Sequence, residues 1–320
     1  MDDCYALKDR GPDGRIQIDL TRFPSGFGAE PSTLTSFIHA QGLKVWVYSG
    51  TYSVGCEGYP GTLGNEQLDA DTFANWTADL LKLDNCQYAG DPTSAYAKVG
   101  AALNATGRPI FYMACSWGTN NPWVELPGIA NSFRIDHDNS PNFDDMLRII
   151  SNAEGLARFA GPGHWLDLDM LEVGNLGDED WYTTTHLEVD KAQFAIWCLY
   201  KSALTLGTTI ENLQNETYKN ILTNRELIAW NQDKLGIAGD VVRHEGRKVP
   251  LTRKCWVLPR RASPNPHDNL CVPLPFPTQR TGGSPARSRT ARAPLCSSTR
   301  TRRGRLWTST CSTSTSRTSA

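Results

Sequence analysis

The sequence predicts a parallel α/β protein, and two patterns carry that prediction. Apolar runs of β type alternate with segments of helical periodicity between residues 31 and 210, and polar residues able to perform chemistry follow the ends of the β-type runs. No apolar run reaches the roughly 18 residues that a membrane span requires. A chain of 320 residues has room for one large domain, or for one domain and a smaller second one.

The elements alternate in the order that βα units require. The predicted helices are Pro31–Gly42, Glu66–Ala78, Ala95–Gly107, Phe143–Phe159 and Lys191–Ala203. The predicted strands are Leu43–Ser49, Asp79–Asp84, Pro109–Cys115, Asn131–Asp136, His164–Met170 and Leu204–Ile210. Gly107 is a helix stop, because glycine adopts the left-handed conformation that commonly ends a helix.

The position of the polar residues favours a barrel over an open sheet. Asp84, Ser116, Asp138 and Asp169 lie at or just past the carboxyl ends of predicted strands. A (β/α)8 barrel gathers all such ends into one mouth, whereas an open sheet offers only a crevice at its switch point. No G-x-G-x-x-G motif opens a helix, so the dinucleotide-binding alternative lacks its main feature. We therefore predict a (β/α)8 barrel.

Charge and cysteine content divide the chain. From Pro259 onward there are eleven Arg, no Lys and one acid, giving that segment +10 and the remainder −12. An acidic body does not indicate nucleic-acid binding. The nine cysteines include Cys4, Cys56, Cys86 and Cys115, spread through the acidic body. Three glycosylation sequons, beginning at Asn75, Asn104 and Asn215, lie there too, and together they favour an oxidising, secretory compartment. The opening residues carry no apolar signal-peptide core.

Alternation within Asp79–Asp84 places Lys82 and Asp84 on one face of their strand, with Leu81 and Leu83 on the other. A lysine and a carboxylate facing a pocket could hold a sugar and attack it, or they could form a structural ion pair in a packed interior. Several carboxylates around one mouth suit glycoside hydrolysis, which needs a nucleophile or base and a protonated acid. They would also suit a divalent metal, but no H-E-x-x-H spacing or calcium loop is present.

Eight blocks of the sequence resemble the α-galactosidase (melibiase) family of retaining glycoside hydrolases, which also contains α-N-acetylgalactosaminidases. The blocks keep family order over about residues 1–240. They are DDCYALKDRGPDGRIQIDLTRFPSG, GLKVWVYS, CEGYPGTLGNEQLDADTFANW, LLKLDNC, NATGRPIFYMACSWG, NSFRIDHD, AGPGHWLDLDMLEVGN and NQDKLG.

The resemblance implies a role for each matching residue. Asp84 would be the nucleophile that forms a glycosyl-enzyme, kept ionised by Lys82, and Asp138 the general acid and base, which needs a raised pKa to donate its proton. Substrate contacts would come from Asp2, Asp3, Tyr48, Lys82, Ser116, Trp117, Arg134 and Asp169. The family's disulfides imply the pairs Cys4–Cys56 and Cys86–Cys115. No cofactor and no metal is expected, because acid, nucleophile and water suffice for this chemistry.

The chain also departs from the family pattern. Met1 stands directly before Asp2, so we expect the first βα unit to be missing from the barrel, with the C-terminal β-sandwich lost or vestigial. The predicted organisation is a catalytic barrel over residues 1–236, the start of a β domain over 237–258, and a disordered Arg/Ser/Thr/Pro-rich tail over 259–320.

The expected activity is retaining exo-α-galactosidase action on oligosaccharides or galactomannan by a secreted enzyme. The expected partner is that α-galactoside substrate, with neither nucleic acid nor membrane involved. Two alternatives stay open. Ser116, where α-galactosidases carry a larger polar residue, could leave room for a 2-acetamido group, as in an α-N-acetylgalactosaminidase. A truncated chain could instead be an inactive galactose-binding remnant.

Overall fold

A computed structural model describes residues 2–86, 90–175 and 186–243, together with four short strands further on. The chain divides into two compact units, residues 1–238 and 239–320. The first unit is built on a five-stranded parallel sheet whose strands follow one another in sequence order. These strands are β1 (Trp46–Gly50), β2 (Leu80–Asp84), β3 (Phe111–Cys115), β4 (Ser132–Arg134) and β5 (Trp165–Asp167).

The register of the strands places the polar residues on one face of the sheet. One row of paired positions consists of Tyr48, Lys82, Met113, Ser132 and Trp165. The next pairs, towards the carboxyl ends, join Gly50 to Asp84, Asp84 to Cys115, and Arg134 to Asp167. Because alternate residues of a strand point to opposite faces, these two rows lie on the same side.

The other face of the sheet is a hydrophobic core covered by helices. Val47, Leu81, Leu83, Phe133 and Leu166 are completely buried there. This arrangement explains why β2 combines apolar and charged residues: Leu81 and Leu83 face the core, while Lys82 and Asp84 face the opposite side. The predicted division of that strand into two faces is confirmed by this register and burial.

Nine α-helices are described in the first unit. They are α1 (Leu34–Ala40), α2 (Glu66–Asn75), α3 (Pro92–Ala105), α4 (Pro122–Glu125), α5 (Phe143–Ala153), α6 (His186–Tyr200), α7 (Ile210–Gln214), α8 (Glu216–Leu222) and α9 (Arg225–Asn231). Single 3-10 turns cover Asp3–Tyr5 and Ala157–Phe159.

Helix α3 shows how the local sequence sets these boundaries. The Asp91 side chain accepts hydrogen bonds from the amides of Thr93 and Ser94, and Pro92 occupies the first turn, where its missing N–H costs nothing. The helix ends at Ala105, and Gly107 follows with φ +72°. The predicted stop at Gly107 is therefore confirmed.

The predicted parallel α/β class is confirmed, but the last predicted strand is reduced to a single bridge. Leu204–Ile210 does not form a strand; only Leu206 bridges, in parallel, to Leu171. The Leu171 amide donates to the Thr205 carbonyl, and the Gly207 amide donates to the Leu171 carbonyl. Pairing stops there because α7 begins at Ile210, capped by the Thr209 side chain.

The second unit contains short antiparallel strands. Strands β6 (Asp240–Arg243), β7 (Cys255–Leu258) and β8 (Leu270–Pro273) form one sheet, and β9 (Ser297–Ser298) pairs with β10 (Ser309–Thr310). Most of the predicted disordered tail, residues 259–320, lies outside the described residues. Within the described parts of the chain, no helix is both long and apolar enough to cross a membrane.

Candidate active site

The predicted site residues gather at the carboxyl ends of the parallel strands. Asp84 is the last residue of β2, and Ser116 directly follows β3. Asp138 lies four residues beyond β4, and Asp169 lies two residues beyond β5. The arrangement matches the edge where parallel α/β proteins bind their ligands.

Asp84 is buried, with 6% of its surface exposed, and it accepts several hydrogen bonds. The Tyr48 hydroxyl donates to Oδ2 at 3.1 Å, and the Asn85 amide donates to Oδ1 at 2.9 Å. The Cys115 thiol also hydrogen-bonds this carboxyl. Burial raises the pKa of Asp84; the positive charge of Lys82 and the hydrogen bonds oppose that rise but do not cancel it. Lys82 thus favours the ionised carboxylate, as expected, although burial is the larger effect.

Lys82 is half-buried beside Tyr48, with its ammonium nitrogen 5.6 Å from the centre of the phenol ring. Burial alone would lower the pKa of Lys82. Cys115 and the carboxylates of Asp2 and Asp84 outweigh that effect and raise the pKa of Lys82, although the positive charge of Arg134 works against them. The ammonium group is therefore stabilised by the acidic groups around it.

Arg134 links the loops that follow β4 and β5. Its side chain is only 3% exposed and forms ion pairs with Asp138 at 2.8 Å and with Asp169 at 3.0 Å. The same guanidinium approaches the Cys115 sulfur at 3.5 Å. A continuous series of contacts therefore runs from Asp84 through Cys115 and Arg134 to Asp138.

The loop carrying Asp138 is anchored on both sides, by residues that the sequence did not single out. Arg148 of α5 forms an ion pair with Asp136 at 2.7 Å and donates to the Asp138 carbonyl at 3.0 Å. The amide of Asn139 donates to the Asp169 carboxylate at 2.7 Å. The sequence could have indicated Arg148, because Asn142 is a typical N-cap residue and places Arg148 in the second turn of α5. Nothing in the sequence pointed to Asn139.

The two acidic residues at the start of the chain differ in environment. Asp2 is exposed and caps the first 3-10 turn, and its charge acts on Lys82. Asp3 is buried and accepts a hydrogen bond from the Glu57 amide at 2.7 Å. Burial raises the pKa of Asp3, and the hydrogen bond from Glu57 only partly offsets this. Asp3 therefore holds the segment after β1 in place, whether or not it also contacts a substrate.

Ser116 and Trp117 form a tight turn after β3. Ser116 is buried, and its hydroxyl finds no hydrogen-bond partner among the described residues. Trp117 has φ +52°, which is unusual for a large side chain, and its ring stacks on His137 with 6.3 Å between ring centres. The turn therefore contacts the loop that carries Asp138.

The cysteine pairing differs from the prediction. The structure joins Cys56 to Cys86, whereas Cys4 is free and exposed and Cys115 is free and buried. The predicted pairs Cys4–Cys56 and Cys86–Cys115 are therefore wrong. Cys86 follows the end of β2 and meets the segment after the neighbouring β1, while the Cys115 thiol points to Asp84 and Arg134.

Comparison with known proteins identifies the family. The melibiase family model described as alpha galactosidase A matches residues 1–233. The chain belongs to this family. The resemblance that the eight sequence blocks indicated is thereby confirmed.

Relatives and a solved structure support membership of the alpha galactosidase A family. An alpha-galactosidase of Cyamopsis tetragonoloba is 40% identical over 245 residues, covering 76% of this chain and 57% of the relative. An alpha-N-acetylgalactosaminidase of Gallus gallus is 39% identical over 264 residues, covering 78% and 62%. The crystal structure of alpha-galactosidase I from Mortierella vinacea is 33% identical with a TM-score of 0.72, covering 81% of this chain and 67% of that one. The chain thus spans about three-fifths of the length of these curated relatives.

Proposed function

We propose that this protein is a retaining exo-α-galactosidase that releases terminal α-D-galactose from oligosaccharides or galactomannan. Membership of the alpha galactosidase A family supports this activity. The observation that carries the proposal is the series of contacts from Asp84 through Cys115 and Arg134 to Asp138 at the carboxyl end of the sheet. That series brings two carboxyl groups of different environment, one buried and one exposed, into one neighbourhood.

In the first half-reaction, a carboxylate oxygen of Asp84 attacks the anomeric carbon of galactose. The bond from that carbon to the leaving-group oxygen breaks, and Asp138 gives its proton to this oxygen. The hydrogen bonds from Tyr48 and the Asn85 amide fix the direction of the attacking carboxylate.

In the second half-reaction, Asp138 takes a proton from water as the water oxygen attacks the same carbon. The ester bond to Asp84 breaks, and galactose leaves with its original configuration. The 76% exposure of the Asp138 side chain suits a residue that must meet both a leaving group and water. The residues described supply nucleophile, acid and base, and the proposal invokes no cofactor or metal.

Asp84→Asn tests the nucleophile. We expect kcat for 4-nitrophenyl α-galactoside to fall about 1,000-fold or more, because an amide cannot form the glycosyl-enzyme. Asp144→Asn, at an exposed position on α5, is the matched control and should hydrolyse normally. A folded Asp84→Asn variant with normal turnover would contradict the assignment.

Asp138→Asn tests the acid and base. Nitrophenolate leaves without protonation, so we expect a fast burst of nitrophenol followed by slow turnover, since water is no longer activated. A natural galactoside with a sugar leaving group should show no burst. Proton NMR of the wild-type reaction should show α-galactose as the first product.

A second candidate activity is α-N-acetylgalactosaminidase. The small, buried side chain of Ser116 favours it, as does similarity to the Gallus gallus alpha-N-acetylgalactosaminidase. Comparing kcat/KM for the 4-nitrophenyl α-glycosides of galactose and N-acetylgalactosamine distinguishes the two. We expect the galactoside to be the better substrate.

Two further points belong to the same proposal. The parallel sheet forms part of a (β/α)8 barrel, and strands β6 and β7 begin a separate β domain. The protein is secreted or extracellular, which is supported by the Cys56–Cys86 disulfide and by the exposure of Asn75, Asn104 and Asn215 in the three sequons.

A further inference from the structure

We propose that Asp169 is a positioning residue: its contacts with Arg134 and Asn139, which we call the Asp169 clamp, hold the loop that carries Asp138. The role rests on the proposed function for its catalytic meaning, but the contacts themselves are independent of it. This role goes beyond the substrate contact that the sequence resemblance implied for Asp169.

The polar groups of Asp169 are all engaged within the protein. Oδ1 pairs with Arg134 at 3.0 Å, and Oδ2 accepts the Asn139 amide at 2.7 Å. The main-chain amide donates to Asp167 at 2.9 Å, and the main-chain carbonyl accepts the Trp197 indole N–H at 2.7 Å. One residue thus connects the loop after β5 to β4, to the loop after β4 and to α6.

Exposure separates Asp169 from Asp138. The Asp169 side chain is 8% exposed and the Asp138 side chain is 76% exposed, although both bind the same guanidinium. The Asp169 carboxylate is therefore enclosed by protein groups, while Asp138, bound to the same guanidinium, is open to solvent.

The backbone of Asp169 supports the same conclusion. Its φ is +74°, a left-handed conformation that is uncommon outside glycine, although aspartate adopts it more readily than most residues. The bonds from Trp197 and to Asp167 hold the backbone on either side of this conformation. From this turn the carboxylate reaches both Asn139 and Arg134.

The clamp also determines how the charge of Arg134 is shared. This guanidinium faces the Cys115 thiol of β3, Asp167 and Asp169 from the β5 segment, and Asp138 of its own loop, with Lys82 of β2 acting on it as a like charge. Removing the charge of Asp169 takes away one of the two carboxylates that fix the direction of Arg134, so Asp138 loses part of the support for its position.

Asp169→Asn tests the clamp by kinetics. We expect kcat for 4-nitrophenyl α-galactoside to fall about 10- to 100-fold with KM changed less than about 3-fold. Asp69→Asn is the matched control, because Asp69 is another buried aspartate paired with an arginine, Arg10, at 2.7 Å, away from the site. It should lower stability and leave kcat and KM close to their wild-type values.

Hydrogen exchange tests the clamp without relying on activity. In Asp169→Ala we expect the amides of residues 136–140 and 142 to exchange at least about 10-fold faster than in the wild type, while Asp69→Asn leaves them unchanged. A large rise in KM with unchanged kcat, or unaltered exchange in this loop, would overturn the proposal. If the wild type hydrolyses no α-galactoside, the proposed function fails, and exchange alone decides the clamp.

Discussion

The Cys115 side chain lies between the proposed nucleophile, Asp84, and Arg134, and it contacts both. It is 1% exposed at the end of β3, with the Asp84 carboxyl on one side and the Arg134 guanidinium on the other. Burial raises the pKa of this thiol, so it is protonated near neutral pH and can donate to Asp84. A thiol in this position lowers the pKa of Asp84, and burial raises it.

The thiol should therefore affect how activity depends on pH. The nucleophile works only when ionised, so activity falls as pH drops through the pKa of Asp84. In Cys115→Ala one donor to the carboxylate is lost, the pKa of Asp84 rises further, and the acidic limb of kcat/KM should move up by about 0.5 to 1 pH unit. Cys115→Ser, which keeps a donor, should restore most of the wild-type profile.

Cys198 provides the control for this prediction. It is a second buried free cysteine, on α6, and burial alone raises the pKa of its thiol, to about 12. Cys198→Ala makes the same chemical change without removing a donor to a carboxylate. An equal shift in the pH profiles of both alanine variants would contradict a specific role for Cys115.

At the scale of single elements, the turn after β3 is the most constrained segment of the site. Trp117, Gly118, Asn120 and Asn121 all have positive φ, and a Cβ added to Gly118 would lie 2.4 Å from the Ile135 carbonyl oxygen. Only glycine fits here, because the turn packs directly against the loop that leads to Asp138.

Gly118→Ala should lower stability much more than a glycine-to-alanine change in a turn that has open space around it. We expect the free energy of unfolding to fall by roughly 3 kcal/mol or more, and kcat to fall because the Ile135 backbone must move. Gly128→Ala is the matched control: its φ is +86°, yet an added Cβ would meet nothing within 4 Å. It should cost only the left-handed strain, about 1 to 2 kcal/mol. Urea unfolding of both variants measures the difference, and equal losses would mean that the contact with Ile135 contributes nothing.

The alternation of strands and helices could be predicted, because it follows from apolar periodicity and capping residues within each segment. The two faces of β2 could also be predicted, because Leu81 and Leu83 alternate with Lys82 and Asp84. The positive φ of Trp117 and Asp169 could not be predicted, because tertiary contacts impose these conformations against local preference. The binding of Arg148 to Asp136 also depends on where α5 lies relative to β4, which sequence spacing does not fix.

At the scale of the whole molecule, the cysteine pairing likewise could not be predicted from the sequence. Four cysteines allow three pairings, and spacing along the chain does not choose among them. The packing of β1 beside β2 brings Cys56 to Cys86, 30 residues apart in sequence, with 5.1 Å between their Cα atoms. Helix α2 lies within the closed loop, so the bridge fastens one complete crossover between neighbouring strands at the edge that carries Asp84.

Closing a loop of this length restricts the unfolded chain, and the chain-entropy estimate for 30 residues is about 3 to 4 kcal/mol. The double variant Cys56→Ser/Cys86→Ser should therefore lose about 2 to 4 kcal/mol of unfolding free energy. Dithiothreitol should lower the melting temperature of the wild type and leave that of the double variant unchanged. Cys4→Ser, at an exposed free thiol, is the control and should match the wild type in both conditions. Peptide mapping under non-reducing conditions gives the direct test: a Cys4–Cys56 peptide in place of Cys56–Cys86 would show that the loop after β1 is tied to the start of the chain instead.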